Sequence, residues 1–267
     1  MATTATSPRS PGPPDPPAAG RLDRITRAGV LGALAGLTVL AWLALLPIGR
    51  GLMPSGMAGM AMAVTPGDLG LGFLMWAAMM PGMMLPSAAP MILTVARVHR
   101  ARQARFGVTL PLASFLAGYL LVWTGFSALA ALAQWGLARA GAIAGMDGPV
   151  GPLLGGALFV LAGIYQLSPL KHACLGSCRS PLGFLLAHWR DGSGGALRMG
   201  LRHGAVCLGC CWALMALLFA VGTMNLLWVA GLAALVLVEK LAPGGVWVAR
   251  VSGVGMVAAG VGMAGFG

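Results

Sequence analysis

The chain has 267 residues, 58% of them hydrophobic and 9% charged, against about 25% charged in an ordinary soluble domain. So few charges cannot coat a water-exposed surface, which excludes a conventional soluble fold. The net charge of +11 comes from basic residues scattered between apolar runs with no recognition motif, which argues against nucleic acid as a partner.

In chain order, residues 1–25 are rich in Pro, Ser, Thr and Ala and lack the apolar stretch of a signal peptide. They read as a disordered tail ahead of a transmembrane helical domain over 26–267. Apolar segments near the ~20 residues needed to cross hydrocarbon predict helices at 28–47, 69–98, 110–137, 150–170, 197–222, 226–241 and 246–266. The expected fold class is therefore all-α, a polytopic transmembrane bundle of about seven spans, or six without the short segment 226–241.

Charge gives this bundle a direction. Segments on one side would carry Arg9, Arg21, Arg24, Arg27, Arg97, Arg100, Arg102, Arg105, Lys171, Arg179, Arg190, Arg198, Arg202, Lys240 and Arg250, and the other side only Arg50 and Arg139. By the positive-inside rule the first side is cytoplasmic, which places the N-terminus there and the C-terminus outside. Small-residue steps such as Gly155-Gly156, and Gly253 with Gly255, allow helices to approach closely.

The second predicted helix reads GFLMWAAMMPGMMLPSAAPM. Met75, Met79 and Met83 recur every fourth residue, with Met80 and Met84 on an adjoining stripe. Pro81 and Pro86 are expected to kink it and free backbone carbonyls, opening a break through which an ion could pass. The preceding external segment holds Met53, Met57, Met60 and Met62. Thioether sulfur is a soft ligand that never needs deprotonation, so Met75, Met79, Met80, Met83 and Met84, with Met57, Met60 and Met62, form a candidate metal relay. Flexible packing is the alternative use of so many methionines.

All five cysteines fall between positions 174 and 211. KHACLGSC, expected as a loop after the fourth helix, supplies His172, Cys174 and Cys178; HGAVCLGCC in the fifth helix supplies His203, Cys207, Cys210 and Cys211. At about 100° per residue, with His203 at zero, Cys207, Cys210 and Cys211 fall at about 40°, −20° and 80°, on one face. Any one cysteine reads as a small apolar packing residue. The set, paired twice with histidine on one predicted membrane side, reads as a metal site for Cu(I), with Zn(II) as the alternative. An odd cysteine count in a reducing compartment argues against disulfides. His99 and His188 read as solvated surface.

Other polar groups within the predicted spans are Tyr119, Gln134, Tyr165, Gln166, Asn225 and Glu239, the last beside Lys240 as an interfacial pair. No chain of buried carboxylates suggests proton coupling, and no P-loop or phosphorylated-Asp motif suggests an ATP-driven pump. The balance favours a binding protein over an enzyme.

Across Met75 to Ala242, through MMPGMMLPSAAP, HACLGSC and HGAVCLGCCW, the chain resembles a bacterial family of predicted metal-binding integral membrane proteins, a domain of unknown function. The resemblance implies metal binding and a multi-pass location in the bacterial inner membrane, without assigning roles to residues. Three functions stay open. One is Cu(I) transport or delivery through Met and Cys/His ligands. A second is thiol–disulfide exchange using Cys207/Cys210 and Cys174/Cys178. The third is a scaffold lending metal to a membrane complex. The partners expected are the lipid bilayer, the metal ion, and a metallochaperone or membrane oxidase.

Overall fold

The protein is described by a computed structural model covering residues 16–49, 65–102, 108–143, 146 and 148–266. Arg50, the external methionines Met53, Met57, Met60 and Met62, and residues 1–15 of the expected tail lie outside the described residues. Among the described residues the chain forms nine helices and no strand; the one β contact is an isolated bridge between Ile143 and Val150. The helices are α1 (Pro16–Gly49), α2 (Pro66–Arg102), α3 (Thr109–Arg139), α4 (Pro152–Leu167), α5 (Pro169–Arg179), α6 (Pro181–His188), α7 (Gly192–Val221), α8 (Leu226–Leu241) and α9 (Gly245–Phe266).

Several starts follow from local chemistry. Proline, whose missing N–H costs nothing in a first turn, opens α2, α4, α5 and α6. Thr65 and Asp68 cap α2 reciprocally: Thr65 N–H donates to Asp68 Oδ2 at 2.7 Å and Asp68 N–H to Thr65 Oγ1 at 3.4 Å. Asn225 accepts from Trp228 N–H to cap α8, and Gly222, at φ +92°, ends α7.

Three features differ from the sequence expectations. Helix α1 begins at Pro16, inside the stretch expected as tail, KHACLGSC is not a loop but α5, and α6 follows it where no helix was expected. The signal for α5 lies in Ser168-Pro169, where the serine hydroxyl accepts from Lys171 N–H at 3.2 Å and the proline takes the first helical position. Helix α2 continues through Pro81, Pro86 and Pro90, so the expected break is not a helix terminus.

Five helices are long and apolar enough to cross a membrane: Arg24–Leu45 within α1, then α2, α3, α7 and Gly245–Gly265 within α9. Helices α4 and α5 meet at a 63° bend, and counted as one broken span they make six. Helix α8, at 16 residues, reaches only about 24 Å, short of the ~30 Å hydrocarbon layer. Outward-facing side chains such as Leu186, Leu227 and Leu153 are strongly exposed, as expected of a surface solvated by lipid tails.

Helix α7 is the hub, packing along α3, α4, α5 and α8, while α2 contacts α1, α3, α6 and α8, and α9 lies along α4. The α3–α7 contact depends on absent side chains. A Cβ on Gly118 would fall 2.8 Å from Leu201 N, and one on Gly200 2.8 Å from the Phe115 carbonyl carbon, both immovable backbone atoms. At one end of the bundle Trp76 Nε1 donates to Gln134 Oε1 at 2.6 Å and Gln134 Nε2 donates to Thr223 Oγ1 at 3.1 Å, tying α2, α3 and the α7–α8 turn. The polar groups singled out in the sequence thus have structural partners.

Candidate metal centre

The cysteine-bearing face of α7 turns inward, and Cys207, Cys210 and Cys211 are all buried. Their sulfurs reach different neighbours. Cys211 Sγ lies 3.8 Å from Met84 Sδ on α2. Cys210 Sγ lies 3.9 Å from Cys178 Sγ on α5. Both thiols also donate to the Cys207 carbonyl, at 2.9 Å from Cys211 and 3.1 Å from Cys210, as cysteines three and four residues along a helix can.

Cys207 Sγ faces α3 and α8. Tyr119 Oη stands 3.2 Å from it, and Lys240 Nζ 3.0 Å. Lys240 Nζ also donates to Ser87 Oγ at 3.1 Å, and Ser87 Oγ donates to the Met84 carbonyl at 2.8 Å. Five helices therefore converge on this point: α2 with Met84 and Ser87, α3 with Tyr119, α5 with Cys178, α7 with its three thiols and α8 with Lys240.

The remaining sequence candidates sit around this centre. Cys174 is half-buried and packs on Gly209, where a Cβ would come 3.0 Å from its sulfur; Tyr165 Oη donates to the Gly209 carbonyl. His203 is buried, but its ring lies among Phe115, Tyr119 and Phe184, with centroids at 6.0, 5.7 and 5.4 Å. Its Nδ1 has no hydrogen-bond partner among the described residues, and neither has His172 Nε2. Met75, Met79, Met80 and Met83 are buried in the core along α2. Among the described residues no three His, Cys, Asp or Glu side chains are arranged to hold a metal ion. The sulfurs meet in pairs.

Three assignments from the sequence need correction. Glu239 does not pair with Lys240. Its Oε2 lies 2.6 Å from Lys171 Nζ in a buried ion pair, and its Oε1 accepts from Gln166 Nε2 at 2.7 Å. Neighbours on a helix project about 100° apart, so Glu239 faces α4 and α5 while Lys240 faces the thiols. His99 is not solvated: it is 1% exposed, its Nδ1–H donates to Val95 O at 3.1 Å, and its ring sits 4.6 Å from that of Trp189. His188 ends α6 and is half-buried, with Nδ1 2.9 Å from Phe184 O.

Sequence reasoning also missed Lys240 and Tyr119 as members of the centre. Either could have been suspected as a costly polar group in an apolar helix, but which face each occupies depends on how the helices pack.

Comparison with functionally curated proteins and with solved structures gives no match. A family model described as "PpoB2: Copper chaperone" matches residues 73–263, a stretch that runs from the start of the α2 methionines past the last residue of the thiol centre. With well over half of its length matched, the chain belongs to the PpoB2 copper chaperone family.

Proposed function

We propose that the protein is an integral membrane copper chaperone that takes Cu(I) among Met84, Cys178, Cys207, Cys210 and Cys211 and passes it to a partner. The observation that carries this is the convergence of four thiols and one thioether from α2, α5 and α7 in a chain of a copper chaperone family. Two bonds of about 2.3 Å meeting at about 110–120° span the same distance as the sulfur pairs at 3.8 and 3.9 Å. The thioether favours copper over zinc, because zinc sites draw on Cys, His and carboxylate whereas thioethers select Cu(I).

His172, Cys174 and His203 form an outer set in this reading. Among the described residues each of the two imidazoles keeps one ring nitrogen unpartnered, and Cys174 lies on the same short helix as Cys178. Met75, Met79, Met80 and Met83 continue the sulfur path along α2, and Met57, Met60 and Met62, which precede α2 in the sequence, are proposed to feed it. An N-terminus in the cytoplasm of a bacterial inner membrane agrees with the distribution of Arg and Lys, the seventh crossing of that arrangement falling to the short α8, and puts the thiols near the cytoplasmic side. The receiving partner is then a metallochaperone or a membrane oxidase. Thiol–disulfide exchange has less support: Cys207, Cys210 and Cys211 are at most 2% exposed, out of reach of a substrate protein's thiol.

The test is Cu(I) titration of the detergent-solubilised protein against a competing Cu(I) chelator. One Cu(I) per chain is expected, with affinity lowered at least about a hundredfold in Cys207→Ser/Cys211→Ser and about tenfold in Met84→Leu. Unchanged affinity in the double variant would move the site elsewhere. Copper uptake by sealed vesicles holding only this protein would establish transport rather than delivery.

A further inference from the structure

The least expected occupant of the thiol centre is an amine. Lys240 sits near the end of α8, 6% exposed, and its Nζ meets Ser87 Oγ and Cys207 Sγ but, among the described residues, no carboxylate. The nearest acidic residue in sequence, Glu239, is engaged by Lys171. A buried ammonium without a counter-charge is costly, so the sulfur that touches it is its electrostatic partner.

We infer that Lys240 sets the charge selectivity of the metal centre, acting as a built-in monovalent cation that leaves the thiols room for one further positive charge and not two. This rests on the Cu(I) reading above and deepens it. Two thiolates with one Cu(I) carry a net −1, and the ammonium brings the enclosed cluster to zero. The same two thiolates with Zn(II) are already neutral, and the ammonium leaves them at +1. A low-dielectric interior penalises that residual charge, and among the described residues no carboxylate contacts Lys240 to absorb it. Soft donor chemistry alone would favour Cu(I) over harder ions but would leave Zn(II) a strong competitor for the same two thiolates. The lysine supplies discrimination by charge on top of discrimination by softness. Lys240 is thus a positioning and specificity residue, not a ligand.

The size of the effect follows from the difference of one charge. At an effective dielectric of ~20, one additional unit charge about 5 Å from the ammonium is worth about 3.3 kcal/mol and shifts binding by about 250-fold. Removing the ammonium should therefore raise Zn(II) affinity relative to Cu(I) by roughly that factor.

The experiment measures Cu(I), Ag(I) and Zn(II) affinities of the purified full-length protein, with Lys240→Met, Lys240→Gln and Lys240→Arg beside wild type. Wild type should bind Cu(I) and Ag(I) and discriminate strongly against Zn(II). Either neutral variant should shift the Zn(II)/Cu(I) ratio toward zinc by at least about tenfold, while Lys240→Arg keeps the wild-type ratio. Lys240→Gln retains a donor toward Ser87 and serves if the Met variant does not fold. A ratio unchanged within about threefold in a folded neutral variant, with wild type still binding Cu(I), would overturn the role of Lys240 and leave the copper reading intact. Absence of Cu(I) binding in wild type would remove both.

Discussion

Glu239→Leu is expected to destabilise the protein by about 3–5 kcal/mol, because it strands the Lys171 ammonium in the interior with only Gln166 for company. Lys171 is 0% exposed and Glu239 2%, so water offers neither partner any relief. The reciprocal change, Lys171→Met, should cost a similar amount by leaving the carboxylate unpaired. Both together, Lys171→Met/Glu239→Leu, should recover to within about 2 kcal/mol of wild type, since replacing a whole buried ion pair by apolar groups is often nearly neutral. Thermal unfolding in detergent reads this directly, as a fall of about 10 °C in either single variant and a much smaller one in the double. A double variant as unstable as the singles would show that the pair is not the unit that matters. The singles should also expose the half-buried Cys174 to alkylation, because Lys171 anchors the start of α5 to α8 while Arg179, donating to the Glu239 carbonyl at 2.6 Å and the Pro243 carbonyl at 3.2 Å, anchors its end.

Gly118→Ala is expected to be nearly as damaging despite adding a single methyl group. The added carbon would press on Leu201 N and its neighbours in α7, and backbone cannot rotate aside as a side chain can, so the two helices must separate. Overpacking of this kind costs about 1–3 kcal/mol, and Gly118→Leu should prevent folding. Gly200→Ala, meeting the Phe115 backbone, should behave alike. Gly125→Ala supplies the control on the same helix: nothing lies within 4 Å of its added Cβ, and better helix propensity should leave stability unchanged or raised by up to about 1 kcal/mol. The seam also positions chemistry, because Tyr119, next to Gly118, touches Cys207. Faster alkylation of Cys207 should therefore accompany the loss of stability. Equal behaviour of Gly118→Ala and Gly125→Ala would refute the seam.

The seven helical segments were legible because apolar runs bounded by Pro, Gly and charge leave little freedom in where a helix starts and stops. The common face of Cys207, Cys210 and Cys211 was equally legible, being a property of one helix. How that face divides its contacts was not. Cys207 turns to Lys240, Cys210 to Cys178 and Cys211 to Met84 because α8, α5 and α2 approach α7 from different directions, and direction of approach is a tertiary fact. His203 shares the face at about 40° from Cys207, yet aromatic rings from α3 and α6 enclose it. His99 looked solvated beside Arg100, until Trp189 from the end of α6 covers it. The helix α5 was hidden by its composition: four of its eleven residues are Gly, Ser or Cys, and the Ser-Pro signal at its start outweighs them.

The consecutive placement of Glu239 and Lys240 makes α8 a lever with two loads. One residue holds the ion pair that anchors α5, and the next holds the ammonium beside the thiols, on faces about 100° apart. Rotating α8 to relax either contact drags the other off its partner, so two buried polar centres share one mechanical degree of freedom. A single-residue insertion between Val236 and Glu239 would turn both side chains away at once, by about 100°, and only a rotation of the whole helix could bring them back, both together.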